Sequence, residues 1–139
     1  MTRIVFLDRA TIAPQVALDV SPNSARIGDV VLFVANAVDN VGVDELSVTV
    51  NGTRVGLDAT GRATYRPTAA GTRVIVATAR DATGNAAETS ANLRVSDPND
   101  PDGPAVELTS PGFDAILTGP VDVIGTVDDA NLAFYTLSY

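Results

Sequence analysis

The sequence predicts an all-β chain: one complete sandwich of about seven antiparallel strands, followed by the start of a second sandwich. Three observations carry this expectation. Short alternating apolar runs, each closed by Gly, Pro, Asn or Asp, arrive every ten residues or so, and helical periodicity is hard to find. Val and Thr, which favour strands, are abundant. The chain also repeats itself at an offset of about ninety residues, the length of a sandwich module. Pro14-x-Val16-x-Leu18 returns as Pro104-x-Val106-x-Leu108, and Ser21-Pro22 as Ser110-Pro111. Gly28 with Val30 to Asp39 is answered by Gly119 with Val121 to Asp128, and Ile4 to Asp8 by Leu93 to Asp97.

Taken in order, strands are expected near 15–20, 29–38, 45–50, 54–57, 62–66, 72–80 and 88–95. Residues i and i+2 of a strand share a face, so alternation names the core. Val31, Phe33, Ala35 and Ala37 should point inward from the second strand, and Leu46, Val48 and Val50 from the third. Ala63 and Tyr65 should do so from the fifth, and Ile75, Ala77 and Ala79 from the sixth. Small alanines opposite Phe, Leu and Ile let two sheets interdigitate at about 10 Å. Asn51-Gly52 is a two-residue hairpin signal, because a type I′ turn needs positive φ at both centres. Thr60-Gly61 and Ala70-Gly71 mark further reversals, and Asp81-Ala82-Thr83-Gly84-Asn85 should join the last two strands. Seven strands in about eighty residues fit an immunoglobulin-like β-sandwich.

The prolines of Asp97-Pro98-Asn99-Asp100-Pro101-Asp102-Gly103 forbid helix and central strand, which makes this segment a boundary. The expected organisation is therefore an end strand of a preceding module with its entry linker (1–13), a complete domain (14–96), an acidic Pro-rich linker (97–103) and a truncated further domain (104–139). Strands in the last unit are expected near 105–108, 121–127 and 132–138. Three strands of a seven-strand fold leave unpaired edges, so the native chain is expected to continue.

Composition excludes several functions. Seventeen acidic against nine basic residues give a net charge of −8, which repels phosphate backbones and anionic membranes, so nucleic acid is not an expected partner. Without cysteine there is no disulfide, thiolate metal site or cysteine nucleophile. Without histidine there is no Ser-His-Asp catalysis and no His-ligated zinc. No apolar run approaches the ~20 residues of a membrane helix. Residues 2–7 are too short for a signal-peptide core, so any export signal is expected outside this chain. Paired carboxylates for glycoside chemistry must face one another across a cleft, and no strand directs such a pair. The chain is expected not to be an enzyme.

Carboxylates are the candidate site residues. In an immunoglobulin-like sandwich the loops after the second and sixth strands lie at one end, which places Asp39 near Asp81, with Asp8 arriving on the entry segment. At the next junction Asp97, Asn99, Asp100 and Asp102 should approach Asp128 and Asp129. Together these could supply several of the six to eight oxygens that Ca²⁺ takes. The alternative is that Asp39 and Asp81 terminate strands through Asx turns while the linker is a solvated acidic segment. The linker does not match an EF-hand loop, since Pro98 falls where the first ligand belongs.

Several of these segments, in register, resemble a known group: Gly28-Asp29-Val30-Val31 leading to Asp39-Asn40-Val41-Gly42-Val43, Val50-Asn51-Gly52-Thr53, Pro67-Thr68-Ala69-Ala70-Gly71-Thr72 and Asp81 to Asn85. They look like the tandem bacterial immunoglobulin-like (Big/cadherin-like) modules of large secreted and surface proteins. The tail, from Leu108-Thr109-Ser110-Pro111 through Leu117-Thr118-Gly119-Pro120-Val121 to Tyr135-Thr136-Leu137, is similar to segments near the start of Rhs-type (YD-repeat) proteins. The linker also resembles the Asp/Asn-rich junctions of cadherin repeats, where calcium stiffens successive modules. Residues 2–14 look like the opening strand of some D-2-hydroxyacid dehydrogenases, but no G-x-G-x-x-G follows a strand and the required histidine is missing. The first resemblance implies a spacer, stalk or adhesion module, secreted or at the cell surface. Its partners would be neighbouring modules of the same polypeptide and a host or cell-surface ligand. A carbohydrate- or protein-binding module is the alternative. It would need an exposed aromatic platform, and Phe113 is the aromatic expected to be exposed.

Overall fold

A computed structural model describes residues 11–129, 131, 132 and 134–138. These form ten strands: β1 (Gln15–Ser21), β2 (Ser24–Arg26), β3 (Val31–Val38), β4 (Val43–Val50), β5 (Thr53–Val55), β6 (Arg62–Tyr65), β7 (Gly71–Asp81), β8 (Ala86–Ser96), β9 (Ala105–Ser110) and β10 (Ile124–Asp128). The fold class is all-β, as alternation requires.

Strands β1 to β8 build an immunoglobulin-like sandwich. One sheet has the order β1-β3-β6 and the other β2-β8-β7-β4-β5. Every pairing is antiparallel except β2 with β8, which is parallel. The chain leaves β1 in the small sheet, touches the edge of the large sheet as β2, and returns as β3. Strand β2 is too short to show any alternation, and it is held only along one edge by β8, which is why no strand was expected at 24–26.

The core sits where the two inner faces meet. Val31 and Phe33 from β3, Val48 from β4, Ile75 and Ala77 from β7, and Leu93 and Val95 from β8 are all fully excluded from solvent. Each large side chain so buried contributes about 1.5–3 kcal/mol. The Phe33 and Tyr65 rings stack with centroids 5.6 Å apart, closing the β3–β6 side. Expected core positions are met at Ala35, Val50, Ala63 and Ala79, while Ala37, near the end of β3, and Leu46, midway along β4, are only half-buried.

Turn chemistry fixes the registers. Asn51 and Gly52 both take positive φ, 47° and 81°, as a type I′ hairpin demands. The Asn51 side-chain oxygen also accepts from the Val74 N–H at 2.8 Å, tying the turn to β7. Gly61 lies against β3 so closely that an added Cβ would stand 2.2 Å from the Ala35 carbonyl oxygen.

Beyond Ser96, β9 and β10 pair as an antiparallel hairpin. The expected strand at 121–127 is shorter, starting at Ile124, and the expected strand at 132–138 does not form among its described residues. Alternation there is real, but a strand exists only through a neighbour that takes its hydrogen bonds, and the described residues of this segment pair with no strand.

Candidate functional site

The β9–β10 pair repeats the β1–β3 pair from its open end, and departs from it by a bulge between Ile124 and Gly125. Ser21-Pro22 and Ser110-Pro111 both carry cis peptide bonds. Gln15 pairs with Val38, and its counterpart Ala105 pairs with Asp128. The counterpart of Asp39 is therefore Asp129, not Asp128, which is one residue from the match drawn in sequence. The local chemistry agrees. Asp39 Oδ2 accepts from the Val41 N–H at 2.7 Å, and Asp129 Oδ1 accepts from the Asn131 N–H. Both are Asx turns that stop a strand.

At the far end of the sandwich the pairing of Val43 with Asp81 sets the loop 39–42 beside the 82–85 turn. Asp81 is almost completely buried. Its Oδ1 accepts from the Thr83 N–H (2.8 Å), the Thr83 hydroxyl (2.9 Å) and the Asn85 N–H (2.9 Å), and its Oδ2 accepts from the Asn85 amide (2.7 Å). Burial opposes ionisation, but these donations from Asn85 and Thr83 outweigh it and hold the carboxyl below the ordinary aspartate range. Asp81 is thus engaged as the cap of its own turn. Asp39 Oδ1 is buried with no hydrogen-bond partner among the described residues. Asp39 shares a shallow concavity with Ile12 and Ala13 of the entry segment, while Asp8 lies outside the described residues.

The second cluster forms where the sandwich meets the hairpin. Asp97, Asp100, Asp102 and Asp129 line one concavity of about 240 Å³ together with Asn131. Asn99 and Asp128 do not line it: Asp128 ends β10 opposite Ala105, and Asn99 contributes its N–H to Asp97 Oδ1 at 2.9 Å. Asp100 Oδ1 accepts from the Asp102 N–H at 3.0 Å. Asn131 spans the cluster. Its side-chain oxygen accepts from the Asp97 N–H, and its amide nitrogen donates to Asp100 Oδ2. Arg94, on β8, donates to the Leu132 carbonyl just beyond. Neither Asn131 nor Arg94 stood out in the sequence, because a bridging amide has no spacing signature until the two hairpins are superposed. Among the described residues no three carboxylates are grouped closely enough to hold a metal ion.

A third feature is an open apolar face. Val16 and Leu18 of β1 are covered by the opposite sheet, whereas their counterparts Val106 and Leu108 are 73% and 55% exposed. With Leu132, Phe134, Tyr135 and Leu137 they surround a groove of about 400 Å³. Phe113 is fully exposed, as expected. Among the described residues no helix is long and apolar enough to cross a membrane.

No protein-family model and no curated protein matches this chain. Solved structures do match. One is from a study of the promiscuous specificity of carbohydrate-binding modules of the β-sandwich superfamily, at 20% identity and a TM-score of 0.56. The match covers 71% of this chain and 45% of that one, so the chain spans under half of its length. The PKD domain of the human VPS10 domain-containing receptor SorCS2 is 18% identical with a TM-score of 0.50, over 72% of this chain and 85% of that one. The PKD1 domain of Vibrio anguillarum Epp gives 19% and 0.49, over 63% and 99%. At these identities the first two matches establish the immunoglobulin-like β-sandwich fold.

Proposed function

We propose that this chain is a non-enzymatic immunoglobulin-like segment of a tandem array, serving as spacer or adhesion stalk in a large extracellular bacterial protein of the Big/cadherin-like kind, with Rhs-type proteins as one setting. The observation that carries this reading is the repeated hairpin. The same strand pair, Asx turn and Ser-Pro corner recur about ninety residues on, joined by a short acidic linker that Asn131 meets at Asp97 and Asp100. Repetition along one axis with contacts only between neighbours is the property a stalk uses. The test is scaling. Tandem copies of residues 14–103 should increase the maximum dimension measured by X-ray scattering in proportion to copy number, and a dimension that levels off would contradict the spacer role.

Two further readings attach to specific features. Ca²⁺ as a stiffener of the junction is a second reading: four carboxylates line one concavity, and they would have to draw closer together, since as placed no three are grouped tightly enough to hold a metal ion. It requires Asp97, Asp100 and Asp129 to release N–H and amide donors that they now hold. Heat or thermal stabilisation at millimolar Ca²⁺ supports it, and neither effect removes it. A carbohydrate-binding role is supported by the exposed rings of Phe134 and Tyr135 beside the apolar groove, and by the sandwich shared with a carbohydrate-binding module. Binding on a glycan array that is lost in Tyr135→Ala supports that role, and an array without signal removes it.

A further inference from the structure

We propose that Asn131 is a clamp that fixes the second unit on the first, so that the junction holds its direction through hydrogen bonds without a bound cation. This rests on the tandem-module reading above. The position is the counterpart of Val41 in the preceding repeat, and both follow an Asx-turn aspartate by two residues. The Val41 side chain carries no donor or acceptor, whereas the Asn131 amide carries both. One end meets a backbone N–H, that of Asp97, which only an oxygen can accept. The other meets the Asp100 carboxylate, which only an N–H can approach favourably. The two contacts therefore fix the orientation of the amide, and a single half-buried side chain joins the end of β10 to two turns of the linker.

A second tie crosses the same boundary independently. Arg94 projects from β8, inside the sandwich sheet, to the Leu132 carbonyl next to Asn131. Two contacts from different elements resist both bending and twisting of the hairpin against the sandwich. Segments joined by so short a linker otherwise move relative to one another unless a large apolar interface holds them. Here the apolar face of the hairpin is left open rather than spent on that interface.

Electron–electron double resonance tests the clamp on the full chain, which has no native cysteine to interfere with labelling. Spin labels at Glu88→Cys on β8 and Glu107→Cys on β9 both sit on exposed strand positions in separate units. A single narrow distance distribution is expected, and Asn131→Ala should widen it about twofold or more, the signature of freed relative motion. Asn99→Ala, which alters the same linker without touching the clamp, should leave it narrow. Amide chemical shifts of β9 and β10 should keep their strand values in Asn131→Ala. A parent distribution that is broad in EDTA, an Asn131→Ala distribution as narrow as the parent, or loss of the strand shifts in that variant would each overturn the clamp. None of these outcomes bears on the length scaling that tests the tandem reading.

Discussion

Asp81, a candidate ligand by its place in the sequence, also closes its own turn. Among the described residues its donors are Thr83 and Asn85, within four positions, so the D-A-T-G-N motif caps its own turn. The sequence makes the turn legible but not its sufficiency, since whether a carboxylate is satisfied locally depends on side-chain rotamers. Its lowered folded pKa has a definite sign. Stability from Asp81 is fully present above the ordinary value of 3.8 and is lost as pH falls from there through the lower folded value. Asp58 behaves alike, held down first by the Thr60 hydroxyl and then by the Arg62 and Thr60 N–H groups. Asp81→Asn should therefore lower the melting temperature at pH 7 and flatten its fall between pH 5 and 2 relative to the parent, as read by calorimetry. Gly61→Ala has no such pH signature. Its φ of +76° and the 2.2 Å approach to the Ala35 carbonyl predict a loss of about 1–3 kcal/mol in denaturant unfolding.

At the scale of elements, what alternation and turn residues encode was readable and what partners encode was not. Strands β3, β4 and β7 carry Val, Phe, Ile and Ala at every second position, and those side chains are the core. Strand β2 has three residues and no pattern of its own, and it exists because β8 offers an edge in parallel. Residues 132–138 have the pattern, and those described pair with no strand. The junction was half legible: Asp97, Asp100, Asp102 and Asp129 do gather, but Asn131, which bridges Asp97 and Asp100, and Arg94, which reaches Leu132, become visible only when the register gives Asp129 the role of Asp39. Large apolar side chains should therefore respond differently in the two units. Ile75→Ala in the closed core should cost about 2–5 kcal/mol, whereas Leu108→Ala on the open face should stay within about 0.5 kcal/mol, both measured by chemical denaturation of β1–β8.

As a whole molecule, the chain is a closed immunoglobulin-like sandwich with a second, open hairpin fixed to its end by polar contacts. The linker sets the two units apart in sequence, and Asn131 and Arg94 join them in space. That junction decides whether the proposed array acts as a rod or as a loose string, which is the point on which the proposed spacer role depends. Residual dipolar couplings of backbone amides address it most directly. If the junction is fixed, couplings from β7 and β8 and those from β9 and β10 fit one alignment tensor of undiminished magnitude. Couplings from the hairpin that need a separate, weaker tensor would contradict the account.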